Sequence, residues 1–520
     1  MKNANTRKII FTTAYVSDYI NLFSFSTDLM KIMSLMILGS SSHAGKSTIV
    51  TAICRMLYNH GYSCAPFKSQ NMSLNSYVTG DGKEIGIAQA IQAMAAGVEP
   101  AAEMNPILLK PKGDRTSQIV LLGRPYKDIR IGEYYNETGH LLETALKSYY
   151  SLEEKFGNIV VEGAGGAAEM NLYDRDIANI LLAERLNIPI VIVGDIERGG
   201  IFAQLIGTYH LLPDNVRKNV VGFIINKFMG DPDLFRKGIS IIEEKTGIQV
   251  LGVMPYSHVE LPSEDSLSIQ DKLKHSSEDK PAKIGVVRLD KISNFSDFEP
   301  LERYAEILYL NPADSFENID CLILPGTKNT IEDLNILKIS GFDRKLRTLI
   351  EKKIPVFGIC GGFQMLGRVI EDSGIESGEP CTVEGFGILD IKTEFLEYEK
   401  TTAKVRRRSL GKGPILSRID EASGYEIHMG KTELGNGVTE SFEGEGAVSS
   451  DGMIIGTYMH GLFNNENVVC ALMSYLYEQK GLIFGMKESE KSGIESAFDK
   501  LVHSFEESID TRSILNHFNK

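Results

Sequence analysis

The chain has 520 residues, 42% of them hydrophobic and 24% charged, with a formal net charge of −14. That length supports two or three domains with full-sized cores, in the composition range of an ordinary soluble protein. The acidic balance argues against a nucleic-acid partner, and six scattered cysteines without a CxxC pair imply neither a zinc site nor a disulfide framework.

Residues 1–33 form an N-terminal extension of uncertain structure. Ile9 to Met33 is fairly apolar, but Asp18 and Asp28 interrupt it and no small-residue cleavage site is clear. Neither a membrane span nor a signal peptide is predicted. The expected natural start is Met33 or Met36, with the upstream segment dispensable; the alternative is an extra helix packed on the surface.

Residues 34–270 read as an α/β domain. The apolar runs Met36–Gly39, Ser63–Phe67, Asn158–Val161, Ile188–Gly194, Asn219–Ile225 and Ile248–Val253 alternate with helical patterns, the mark of a parallel sheet covered by helices. The first run opens a phosphate-binding loop, Gly39-Ser40-Ser-Ser-His-Ala-Gly45-Lys46-Ser47-Thr48. Backbone N–H groups of such a loop cradle phosphates, Lys46 reaches the terminal ones, and the Ser47 hydroxyl can hold Mg²⁺. Five residues, not the usual four, separate Gly39 from Gly45, yet the Gly-Lys-Ser-Thr end after an apolar strand remains specific. Ligands bind at the carboxyl ends of strands in such sheets. Glu162 there is a second candidate metal ligand, and Lys68 a second phosphate clamp. Asp176 and Asp195 are balanced between a functional role and a helix cap or solvated carboxylate.

Residues 271–283 are polar, lack periodicity and read as a linker. A second α/β domain is expected over 284–480, with strands at Ile284–Val287, Cys321–Leu324, Pro355–Ile359 and Met453–Tyr458. Its most informative stretch is Val356-Phe-Gly-Ile-Cys360-Gly-Gly-Phe-Gln-Met-Leu-Gly367, a strand, a tight turn and a helix. A cysteine on such an elbow is exposed at the end of a sheet, near a helix N-terminus that favours its thiolate. His460 follows one hundred residues later and supplies a base; together they have the layout of an acyl-enzyme nucleophile. The Pro325-Gly326 turn can aim N–H groups at an oxyanion, with the Gly361 N–H as partner, although an ordinary strand-to-helix turn accounts for it equally well. Residues 481–520 read as a charged helical tail on the surface. Reduced thiols and a catalytic cysteine place the protein in the cytoplasm.

Several long motifs give the chain a family resemblance: Phe67-Lys-Ser-Gln-Asn-Met-Ser-Leu-Asn-Ser-Tyr77, Glu84-Ile-Gly-Ile-Ala-Gln89, Met104 to Pro111, Asp195-Ile-Glu-Arg-Gly-Gly-Ile-Phe-Ala203, Ile292-Ser-Asn-Phe-Ser-Asp-Phe298 and Gly424-Tyr-Glu-Ile-His-Met-Gly430. From about Met36 to His460 it resembles the cobyric acid synthases, glutamine-hydrolysing amidases of corrinoid biosynthesis. The first half is similar to dethiobiotin synthetase and the second to class I glutamine amidotransferases. The resemblance implies that Cys360 and His460 release ammonia from glutamine. Mg-ATP then activates carboxylates of a corrinoid as acyl phosphates, and ammonia converts four of them, b, d, e and g, to amides. It implies small-molecule substrates (ATP, glutamine, a corrinoid polycarboxylate), Mg²⁺, and no tightly bound prosthetic group; the oligomeric state is left open. Glu84 joins the metal candidates, and Tyr77 joins Asp176 and Asp195 at the substrate or acyl-phosphate site.

The chain departs from the pattern in places. Leu462 stands where many class I amidotransferases have a Glu that orients the histidine, an absence the cobyric acid synthases share; Glu426 is one candidate orienting group. His43 replaces the usual Asp of the phosphate loop and Met229 a usual Arg. The basic run Lys404-Val-Arg-Arg-Arg408 reads as a solvated hairpin loop rather than an attractor for the corrinoid. Cobyrinic acid a,c-diamide synthase shares both domains and is the rival within this chemistry. A partitioning-type ATPase would carry Lys where Ser41 stands and has no use for Cys360. Intact Cys360 and His460 also speak against an amidotransferase domain kept only for regulation.

Overall fold

The six apolar runs of the first domain assemble into one sheet. In the computed structural model, residues 33–113, 115–256, 262, 280–396, 398, 400–486 and 493–520 are described. All of the 1–33 extension but Met33, and most of the 271–283 linker, lie outside them. The strands of the two main sheets are numbered β1 to β12 in chain order. In the first domain these are β1 (Ser34–Gly39), β2 (Cys64–Phe67), β3 (Asn158–Glu162), β4 (Ile190–Asp195), β5 (Val220–Phe228) and β6 (Val250–Pro255). They run in the order β6-β5-β4-β1-β3-β2, all parallel. Every residue of β1, β2, β3 and β4 is buried, as a parallel sheet covered on both faces requires.

The second domain repeats the plan with β7 (Ala282–Val287), β8 (Ala305–Leu310), β9 (Cys321–Leu324), β10 (Val356–Ile359), β11 (Ala447–Val448) and β12 (Ile454–Thr457). Their order is β8-β7-β9-β10-β12-β11, parallel except for the β11 edge. β7 begins inside the stretch expected to be linker. The phosphate loop leaves β1 and Cys360 leaves β10, so both candidate sites sit at carboxyl ends of strands.

Smaller sheets of each domain meet at the boundary between them. An antiparallel pair, Lys400–Arg408 with Glu421–Met429, carries the short strand Met459–His460 on its edge. The basic run 404–408 is therefore strand, not loop, and Lys404 lies over the Tyr77 ring of the first domain at 4.9 Å. Val78 packs with Tyr425 and Ile427 across the same boundary. Asn294 accepts from the Ser76 N–H at 2.9 Å, and Lys328 donates to Gln118 at 2.8 Å.

The C-terminal tail is more than a surface helix. Ile494–Ser508 buries Phe498, Leu501, Val502 and Phe505, a stripe at helical spacing, against the helix Lys46–Asn59 that follows the phosphate loop. Arg55, itself buried, is held by Glu495 at 2.7 Å and Asp499 at 2.7 Å. Beyond that helix, the Asp510 N–H donates to Leu251 of β6. Phe498→Ala is expected to lower the unfolding free energy by roughly 3–5 kcal/mol; urea unfolding followed by circular dichroism measures it, and a loss below 1 kcal/mol would contradict this packing.

Candidate active site

The elbow at Cys360 is built by close approach. Cys360 has φ 51° and ψ −110°, a backbone that L residues rarely adopt and that persists only where the surroundings enforce it. Its N–H donates to Thr457 of β12 at 2.8 Å, and the helix Gly361–Met365 begins at once. Gly362 must lack a side chain, because a Cβ there would lie 2.0 Å from the Leu324 carbonyl oxygen. Gly326 ends the neighbouring strand's turn so close that a Cβ would fall 3.1 Å from His460 Cε1 and 3.5 Å from Cys360 Cβ. Gly326 and Gly361 thus flank the thiol, although Cys360 is only 8% exposed.

His460 is fixed from three sides. It pairs with Tyr425 in the antiparallel sheet, and the Tyr425 ring stacks on it with centroids 5.6 Å apart. Its Nδ1 faces Asp297 Oδ2 at 2.7 Å, while Asp297 Oδ1 accepts from the Gly461 N–H at 2.9 Å. Holding Nδ1 on a carboxylate leaves Nε2 to exchange a proton with the thiol. Burial disfavours the imidazolium, but the charge and hydrogen bond of Asp297, aided by Cys360, outweigh it and raise the pKa to about 10. The orienting group is therefore Asp297, not Glu426. Glu426 accepts from Arg407 at 2.7 and 3.0 Å and faces His428. Asp297 lies within the Ile292–Phe298 motif, but no spacing rule ties it to a histidine 163 residues away.

The second site surrounds the phosphate loop. Gly45 sits at φ 92°, and a Cβ there would meet Asn226 Nδ2 at 2.0 Å, so glycine is required twice over. Lys46 is buried and donates to the Gly165 carbonyl at 2.7 Å. The Ser47 hydroxyl donates to Glu162 Oε1 at 2.8 Å, Lys68 donates to the same oxygen at 2.8 Å, and Gln92 donates to Oε2 at 2.5 Å. A cavity of about 720 Å³ opens over Gly45, Lys46, Ser47, Thr48, Lys68 and Glu162. Gly39 lies under Lys46, with room for no Cβ beyond 2.8 Å from Nζ, and the Ser40 hydroxyl donates to Gln204. Ser47 and Glu162 bring two hard oxygens together, which suits Mg²⁺ completed by phosphate oxygens and water. Among the described residues no group of three or more His, Cys, Asp or Glu is placed to hold a metal alone.

The remaining predicted residues divide. Asp176 lines the same cavity but accepts from the Asn179 and Ala178 N–H groups, as a cap does. Asp195 is held by Lys227 at 2.9 Å, and Lys227 lines the cavity. Tyr77 stands at the domain boundary against Tyr425, with ring centroids 6.3 Å apart. Glu84, expected beside the metal, is elsewhere: it is fully buried between Lys110, at 2.5 Å, and Lys400 of the second domain. Burial alone would raise its pKa, but the two lysines hold the carboxyl well below the usual range. Its oxygens are engaged by those cations, not turned to the phosphate loop. Met229 is exposed.

Two family models match the chain. A CobQ/CobB/MinD/ParA nucleotide-binding domain covers residues 35–269, and a CobB/CobQ-like glutamine amidotransferase domain covers 283–468. Over its length the chain is 56% identical to a protein named probable cobyric acid synthase from Methanoculleus marisnigri, covering 94% of this chain and 99% of that one. A relative of the same name from Methanosphaerula palustris is 56% identical, over 93% and 98% of the two chains. One from Methanosarcina mazei is 52% identical, over 93% and 99%. No helix among the described residues is long and apolar enough to cross a membrane.

Asp297→Asn tests the orienting contact. Glutaminase kcat is expected to fall on the order of 10²–10⁴-fold. The His460 pKa, read by NMR titration, should drop from about 10 toward the ordinary range. An unchanged pKa would remove Asp297 from the site.

Proposed function

The chain belongs to the cobyric acid synthase family, glutamine-hydrolysing amidotransferase ligases of cobalamin biosynthesis, and on that premise we propose that it amidates the b, d, e and g carboxylates of adenosylcobyrinic acid a,c-diamide to give adenosylcobyric acid. The observation that carries this reading is a Cys–His–Asp set and a Gly-Lys-Ser-Thr loop, each at the carboxyl end of its own sheet, in domains docked to each other.

In the first half-reaction the Cys360 thiolate attacks the carboxamide carbon of glutamine. The Gly326 and Gly361 N–H groups receive the oxyanion, and His460 delivers its proton to the leaving nitrogen. Ammonia departs, and His460 then takes a proton from the water that cleaves the glutamyl thioester. Asp297 keeps the imidazole aligned through both transfers. In the second half-reaction ATP phosphorylates a corrinoid carboxylate, because a carboxylate is a poor electrophile at neutral pH. Lys46, and Lys68 beyond it, neutralise the charge that builds on the transferring phosphoryl group. Mg²⁺ bound by Ser47 and Glu162 would supply further charge neutralisation. The corrinoid carboxylate enters near Asp176 and Lys227, and ammonia displaces phosphate from the acyl phosphate. Ammonium dominates in neutral water, so free ammonia passes between the sites within the protein.

Glutamate release and corrinoid mass, measured with Mg-ATP and adenosylcobyrinic a,c-diamide, test both halves. Wild type should add four amides. Cys360→Ala should add none from glutamine and four from ammonia, and Lys46→Met should add none from either nitrogen source. No mass change, or a gain only on the precursor without amides, would overturn the four-amide reading; the second outcome points to a diamide synthase.

A further inference from the structure

Four lysines line the cavity that holds Cys360. Lys110 and Lys112 come from the strand Ile107–Gly113 of the first domain, and Lys328 and Lys400 from the second, so the wall is complete only when the domains are docked. The free space between them is about 60 Å³, room for a few molecules the size of water. Lys110 and Lys400 are almost fully buried and share one carboxylate, Glu84. Lys112 reaches Asp128 at 2.8 Å, and Lys328 donates to the neutral amide of Gln118 at 2.8 Å.

The acidic groups that face this wall do not cancel it. Glu84 answers two lysines with one charge. The carboxylate in the cavity lining is Glu376, whose Oε1 accepts from the Thr330 N–H at 3.0 Å. Burial pushes Glu376 up to about 7; Thr330 and Lys328 oppose the shift and Asp372 adds to it. It is therefore charged above about pH 7 and neutral below, which leaves the cavity more positive as the pH falls. His428, also in the wall, faces Glu426 at 3.4 Å. Lys328 registers the field: burial pushes it well below its ordinary value, Lys400, Lys110 and Lys112 add to the effect, and Glu84 opposes it. Lys400 moves the same way through burial, with Lys110 assisting and Glu84 and Cys360 opposing. Any amine set free in this cavity meets the same burial and the same like charges.

We propose that the four lysines form an ammonium-excluding wall: they hold the nitrogen freed at Cys360 as uncharged ammonia until it leaves for the first domain. The amide nitrogen of glutamine departs as NH₃ once it has taken one proton from His460. A second proton would give ammonium, whose lone pair is occupied and which cannot attack an acyl phosphate. The inference rests on the glutaminase reading of this pocket. It adds the means by which the nitrogen keeps its lone pair at a pH that favours ammonium in water, and it makes that means depend on docking, because each domain supplies two of the lysines.

Nitrogen capture at different pH values tests this in the full-length protein. Glutamine labelled with ¹⁵N in its amide is supplied with Mg-ATP, adenosylcobyrinic a,c-diamide and excess unlabelled ammonium, which dilutes any label that escapes. Mass spectrometry then gives ¹⁵N amides formed per glutamate released. Wild type should keep this ratio near one from about pH 8.5 down to about pH 6.5. Lys112→Met and Lys328→Met should match it at the upper pH and lose about tenfold at the lower, since removing one like charge raises the pKa of a nearby amine by about one unit. Lys112→Arg keeps the charge and should restore the ratio. An unchanged ratio in both methionine variants overturns the proposal, as does a loss equal at every pH or one that arginine does not restore, since either marks a structural role. Lys328 itself, followed by NMR titration of ¹³C-labelled lysine and assigned with Lys328→Met, needs no corrinoid. It should titrate well below the ordinary lysine range and move back toward it in Lys112→Met; an ordinary value in wild type overturns the proposal. A lowered Lys328 in a protein that never amidates the corrinoid from either nitrogen source would sink the four-amide function and leave the wall standing.

Discussion

The structure turns on one seven-residue segment, Ile292–Phe298. Ile292 bridges to Thr327, and the Ser293 N–H donates to the Gly326 carbonyl, which fixes the turn beside the thiol. Asn294, with φ 51°, accepts from Ser76 of the first domain and donates its own N–H to Leu74. Three residues on, Asp297 holds His460. Docking of the domains, the shape of the Pro325-Gly326 turn and the orientation of His460 are therefore set by one short stretch of backbone. A disturbance of the Ser76–Asn294 contact reaches His460 through the first turn of the 3₁₀-helix Phe295–Arg303.

Buried charge makes the docking specific. Glu84 and Lys110 come from the first domain and Lys400 from the second, and all three are almost fully buried. Pairs of this kind gain little net stability over apolar packing, but leaving one member unpaired is expensive. Sliding one domain across the other would strand at least one of these ions. The cluster also lies against the Cys360 pocket, which Lys110 and Lys400 help to line, so the same ions that set the register face that pocket.

Local chemistry was legible in the sequence. The phosphate loop and the Cys360 elbow need glycines at fixed positions for reasons contained within a few residues, and Gly45 and Gly362 sit where a Cβ would clash. The six strands of the first sheet were marked by continuous apolar runs, since both faces are covered. What escaped depends on distant contacts. Asp297 is one carboxylate among many until the fold brings it to His460. Glu84 reads as a possible metal ligand until Lys400, 316 residues away, occupies it. The tail escaped for a different reason: its charged residues dominate the composition, while the four apolar positions that matter form a narrow stripe.

That tail has a consequence for how the protein is made. The helix Lys46–Asn59 leaves the ribosome before the second domain, yet the helix that covers its outer stripe, Ile494–Ser508, appears only after the whole of that domain. Until then Phe498 and its neighbours are missing, and an apolar face of the nucleotide-binding domain is open to water and to other chains. Domains commonly fold in the order of their synthesis; here the domain that emerges first is closed only after the other has been made. The period of exposure lasts as long as translation of the intervening residues, so the nascent chain, rather than the finished protein, is the state that presents this apolar stripe to water.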